Sequence, residues 1–219
     1  MPPKPQMMLG PQVQLVERLH GTVWLADQLD WKKKVLVEFL RELPTKDDAA
    51  LTQFLERCEA SRQVAHGNLR VLHDFGVDDD FTPYLVVEHL DGTTLRERMT
   101  EADRLSPNET GQIVSQLAGA LTAIHGEGLT HLALSPDHVV LVKGSTIHVK
   151  LTHLAIGGSP LVDPASLYLS PEQYVGRDTD ARSDLWALAA LAYLMLTGQD
   201  PIDPDKRAEM NFSCVPPSE

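Results

Sequence analysis

Short β-branched or apolar runs at residues 13–19, 23–26 and 35–40, parted by polar turns, predict three antiparallel strands. From 47 to 64, Leu51, Phe54, Cys58 and Ser61/Arg62 recur at three- and four-residue steps, the spacing of one helix face. Runs at 71–76 and 84–88 predict two more strands, with Asp78-Asp79-Asp80 as the turn between them. Five strands and one helix make a small lobe. Asp91-Gly92 then breaks the pattern, and the chain turns mainly helical. Across 106–125, Ile113, Leu117, Ala120, Leu121 and Ile124 share a face, behind a Ser106 cap and Pro107 at the first helical position. A strand pair at 139–142 and 148–151 flanks Lys143-Gly144-Ser145, and 182–196 is a second apolar helix ended by Thr197-Gly198.

With 219 residues, the chain can build one large domain or two small lobes, and 42% hydrophobic residues mark it as folded. Its net charge of −12 argues against nucleic acid or an anionic membrane as the main partner. Lys32-Lys33-Lys34 reads as a solvated turn between strands. Cys58 and Cys214 lie far apart and imply neither a disulfide framework nor a cysteine zinc site, so a reducing cytoplasm is expected. No apolar run reaches the ~18 residues of a membrane span, and residues 1–10 hold no signal peptide.

The stretch His131-Leu132-Ala133-Leu134-Ser135-Pro136-Asp137-His138 reads like the loop H-R-D-L-K-P-x-N with its chemistry removed. Tyr84 to Leu95 looks like a strand, hinge and helix start. Tyr168-Leu169-Ser170-Pro171-Glu172-Gln173 is similar to an A-P-E region, and Ser183-Asp184-Leu185-Trp186 to the start of a central helix. In this order the chain resembles the bacterial Hanks-type Ser/Thr protein kinases from about Leu15 to Pro201. The resemblance implies an α+β, protein-kinase-like two-lobe fold: a five-stranded antiparallel N-lobe with one main helix, and a mainly helical C-lobe truncated after its central helix. The expected division is an N-terminal tail at 1–14, the N-lobe at 15–91, a partial C-lobe at 92–204 and a polar tail at 205–219.

The departures from the family fall on catalysis. Only Gly21 remains of the glycine loop, and Glu38 stands where the strand-three lysine belongs. Ala133 replaces the catalytic aspartate, Ser135 the loop lysine, and His138 and His153 the two Mg²⁺ ligands. The activation segment, 156–167, is short. A vestigial nucleotide pocket is implied at Gly21, Val23, Leu36, Glu88, Leu90 and Val140. A unit charge at 4 Å counts for about 4 kcal/mol near a protein surface, and micromolar-to-millimolar ATP binding amounts to only about 4–8 kcal/mol. Losing the lysine, the glycine cradle and both hard metal ligands together therefore predicts no ordinary Mg·ATP binding and no cofactor.

Arg57 falls where the family's helix glutamate sits, so Glu38 and Arg57 could form a sign-reversed bridge; Arg62 or water are the alternatives for Glu38. His138 and His153 could hold a borderline metal such as Zn²⁺ or fill the cleft as neutral imidazoles, and the second is preferred. What survives is architectural: Asp184 matches the residue that bonds the catalytic-loop backbone. His131, Leu154 and Leu72 match an apolar spine with Ser61 as a polar departure, and Glu172 lacks its usual arginine. The reading that results is a catalytically inactive pseudokinase, not an enzyme, that binds another protein such as an active kinase or signalling complex. The alternative is a weak or atypical ATP-dependent Ser/Thr kinase or other transferase using the His-lined cleft.

Overall fold

The computed structural model describes residues 3–41, 48–80, 82–154 and 166–202. Within them the chain forms two compact units, one from 1–65 and 70–90, the other from 66–69 and 91–219. The expected activation segment up to residue 165 and the polar tail lie outside the described residues, as does Cys214.

The first unit is a six-stranded antiparallel sheet. Its strands are β1 (Met8–Leu9), β2 (Val13–His20), β3 (Val23–Gln28), β4 (Lys33–Phe39), β5 (Leu72–Val77) and β6 (Pro83–Glu88), in spatial order β1-β2-β3-β4-β6-β5. The sequence predicts five of these. The sixth, β1, lies in what reads as a tail, and its Leu9 is buried against Val13 and Leu15. The period of two puts Trp24, Ala26, Val35, Val37, Phe39, Tyr84 and Val86 on one face, where they form a buried cluster. Each such side chain contributes about 1.5–3 kcal/mol by leaving water. Val23 pairs with Glu38 and Leu25 with Leu36, so these four share the opposite face. Helix α1 (Asp48–Gln63) packs near β5 and buries Phe54, Cys58 and Ser61 at the predicted spacing. The lysine run is part turn, part strand: Lys32 has φ +50° and Lys33 opens β4.

The second unit holds the short sheet β7 (Gly92–Thr94), β8 (Val139–Val142) and β9 (Val149–Leu151), with helices α2 (Leu95–Glu101), α3 (Pro107–Gly126), α4 (Pro171–Tyr174) and α5 (Ala181–Thr197). The predicted signals operate as expected at two termini. Ser106 Oγ accepts from the Glu109 N–H at 3.2 Å and starts α3. Gly198 ends α5 with φ +72°, and a Cβ there would meet the Asp103 carbonyl oxygen at 1.9 Å, so only glycine fits. Residues 66–69 belong to this unit although the first unit's chain runs on both sides of them. Asn68 Nδ2 donates to Gln116 Oε1 and to the Val149 carbonyl, both at 2.8 Å, and Leu69 bridges Leu151.

Candidate active site

In the first unit, Glu38 does not wait for a lysine partner. Its Oε1 accepts from Arg70 Nη1 at 2.7 Å, and both side chains are buried. Arg70 also donates from Nε to the Glu88 carbonyl at 2.8 Å. The sequence points to Arg57 as the counter-charge; the structure places Arg70, in the segment leading into β5, beside Glu38. Arg57 sits on α1 beside Cys58, whose thiol burial pushes up to about 12, against the lowering by Arg57. Of the positions read as a nucleotide pocket, Gly21 turns the β2–β3 hairpin with φ +46°. Val23 and Leu36 lie on the Glu38 face of the sheet, and Leu90 follows β6. Glu88 Oε2 accepts from the Val71 N–H at 3.2 Å. Leu72 lies half-buried on β5, and Ser61 is buried on α1.

In the second unit, Asp184 organises the loop 131–138. Fully buried at the start of α5, its Oδ2 accepts from the His131 N–H at 2.8 Å and lies 2.8 Å from His125 Nε2. Its Oδ1 accepts from the Leu132 N–H at 2.7 Å. Leu132 has φ +56°, a left-handed conformation that costs a branched residue of order 1–3 kcal/mol unless its surroundings impose it. Gln173 Nε2, in a capping box with Ser170, donates to the Leu132 carbonyl at 2.9 Å. Glu172 accepts from Ser183 Oγ, which fills the place expected for an arginine. Burial raises the Glu172 carboxyl, and the bonds from Ser183, its own backbone and Ser170 more than offset this.

This loop walls a cavity of about 350 Å³, to which Ala133, Ser135 and His138 contribute together with Arg96, Tyr168 and Asp200. Arg96 Nη2 donates to Asp137 Oδ2 at 3.2 Å and its guanidinium lies 5.9 Å over the Tyr168 ring. Tyr168 in turn donates to Asp200 Oδ1 at 2.9 Å. His138 and His153 come together, with ring centroids 4.4 Å apart, and His131 lies 6.5 Å from His138. His131 is buried, its Nε2 2.7 Å from the Thr152 carbonyl. Leu154 follows half-buried, and Val140 sits on β8 between Thr94 and Lys150. Burial and the neighbouring His153 push the His138 imidazole down to about 3, with His131 adding to this and the Ala133 carbonyl and Asp137 opposing it.

These residues do not fit a hard divalent cation. His138 Nδ1 is engaged by the Ala133 carbonyl, and His153 Nδ1 lies 2.7 Å from Thr152 Oγ1. Among the described residues no three His, Cys, Asp or Glu side chains gather to hold a metal ion. Four roles escape the sequence reading: Arg70 as the partner of Glu38 in the first unit, and in the second Arg96, Gln173 as a donor to the Leu132 carbonyl, and Tyr168 as a ring platform. Gln173 carries a readable signal, the Ser170-x-x-Gln173 capping box. The arginines act across long sequence separations and carry none.

The protein kinase domain family model matches residues 19–215. The chain is 28% identical over 190 residues to the serine/threonine-protein kinase PrkC of Bacillus subtilis, covering 84% of this chain and 29% of that protein. It is 28% identical over 178 residues to the probable serine/threonine-protein kinase PknB of Lactococcus lactis, covering 78% of this chain and 28% of that one. The chain thus spans under a third of the length of these two relatives. Among solved structures, the PknI kinase domain of Mycobacterium tuberculosis superposes with a TM-score of 0.78 at 25% identity, over 92% of this chain and 81% of that one. The relatives bear the names of enzymes, and this overturns the expectation that the chain is not one. Counting replaced side chains does not outweigh a match that runs through both units. Among the described residues no helix is long and apolar enough to cross a membrane. Together with the antiparallel sheet unit and the mainly helical unit, the match across residues 19–215 shows that the chain belongs to the protein kinase domain family.

Proposed function

We propose that this chain is a slow, atypical Ser/Thr protein kinase that moves a phosphoryl group from a nucleoside triphosphate to a hydroxyl of another protein. The observation that carries this reading is the loop at 131–138. Leu132 is held left-handed by Asp184 from one side and Gln173 from the other, at the wall of a cavity. Strain that is held in place by buried partners is characteristic of working sites. The names of the relatives support the same reaction class.

The Glu38–Arg70 pair removes an electrostatic objection. A lone carboxylate at 4 Å would repel a phosphate by about 4 kcal/mol, but here a guanidinium 2.7 Å away neutralises it. Millimolar donor binding then requires only about 4 kcal/mol. Ala133 offers no carboxylate, and a site with no general base at all loses about 10²–10⁴-fold. Against the usual 1–100 per second, this sets a floor for turnover of roughly 10⁻⁴ to 1 per second. The test follows terminally labelled ATP into the chain itself and into a generic Ser/Thr-rich protein, beside Asp184→Asn protein purified the same way. Label on Ser or Thr above a blank, and lower in the variant, supports the reading. Wild-type signal no higher than the blank overturns it.

A further inference from the structure

We propose that His138, through Nε2, takes the proton of the acceptor hydroxyl, the task for which Ala133 has no group; this rests on the transferase reading above. The tautomer follows from geometry. His138 Nδ1 faces the Ala133 carbonyl oxygen, which can only accept, so Nδ1 carries the hydrogen and Nε2 the lone pair. Ser135 Oγ, 3.3 Å away, lies on the same Nδ1 edge. Among the described residues Nε2 has no hydrogen-bond partner, and His138 lines the cavity beside Ala133 and Ser135. A ring pinned at Nδ1 by a backbone carbonyl, with its other nitrogen unpaired among the described residues and its residue lining a cavity, is the arrangement of a general base.

Basicity fits the step. Held at about 3 by burial and by His153, the imidazole is neutral at pH 7 and about as basic as an ordinary aspartate, near 3.9. In a loose phosphoryl-transfer transition state the nucleophile has formed little of its new bond, so its proton leaves late and a weak base suffices. The hydroxyl oxygen bonds to the terminal phosphorus as its O–H bond breaks toward Nε2. The bond from that phosphorus to the bridging oxygen breaks, and its electron pair departs with the nucleoside diphosphate. The imidazolium, a strong acid here, returns the proton to solvent.

The experiment compares phosphate transfer to a Ser/Thr-rich protein by wild type, His138→Asn, His138→Ala, and His138→Asn combined with Ala133→Asp. Asparagine keeps an N–H for the Ala133 carbonyl but offers no basic nitrogen. The expected result for His138→Asn is a kcat lower by about 10²–10⁴-fold, with the KM for the protein substrate and the unfolding midpoint unchanged. Adding Ala133→Asp restores the rate. A His138→Asn protein as fast as wild type, or a loss confined to His138→Ala, overturns the proposal and leaves the ring as a prop for the loop. An inactive wild type instead overturns the transferase reading, and this assignment with it.

Discussion

Glu38 Oε1 and Arg70 Nη1 meet at 2.7 Å with 9% and 8% of their side chains exposed, so the sheet unit carries a closed ion pair at the position the sequence reading assigns to a replaced lysine. Such a pair adds little net stability, because desolvating two charges offsets their attraction. Leaving one of them alone is costly. Arg70→Ala or Glu38→Ala should each lower stability by about 3–5 kcal/mol in urea unfolding. The double replacement by methionine should cost much less than the sum. Additive losses would show that the two residues act independently.

Asp184 accepts from two loop N–H groups and touches His125, all within 2.8 Å. An asparagine there keeps the shape but has one acceptor oxygen in place of two. Asp184→Asn should therefore cost about 2–3 kcal/mol. It should also free Leu132 to leave its left-handed conformation, exposing 131–138 to limited proteolysis before the rest of the chain. Equal cleavage rates in wild type and variant would mean that Gln173 alone holds the loop.

The depressed His138 sets a pH dependence with a definite sign. In the unfolded chain the imidazole takes a proton near 6.5, but in the folded chain only near 3. Between these values the unfolded state binds more protons, so stability is full above pH 6.5 and declines as the pH falls toward 3. The slope contributed by this group is at most about 1.4 kcal/mol per pH unit. Urea unfolding from pH 7 to 4 should show His138→Asn losing less stability than wild type; parallel curves would place the titration elsewhere.

The local signals were legible in the sequence. Ser106-Pro107, Gly198 and the spacing of Phe54, Cys58 and Ser61 act within one or two turns, and each lies where it was read. The short β1 was not, because Met8-Leu9 is too brief to show alternation and earns its place by packing on Val13 and Leu15. At the site, the common neighbourhood of His138 and His153 could be read from their motif positions. The partner of Glu38 could not, because Arg70 lies 32 residues away and only the folded sheet brings it near.

The placement of 66–69 has a consequence for how the chain is made. Asn68 leaves the ribosome early, yet its side chain donates to Gln116 and to the Val149 carbonyl, 48 and 81 residues later. The chain passes between the two units after residues 65, 69 and 90, so no single cut separates them. A fragment ending at Leu90 would keep every strand of the larger sheet but leave Asn68 without these acceptors, and one beginning at Asp91 would lack the side chain that joins Gln116 and Val149 in addition to their direct bond. The sheet unit, complete in its hydrogen-bonded strands by Glu88, thus holds a segment in trust until β9 has been synthesised.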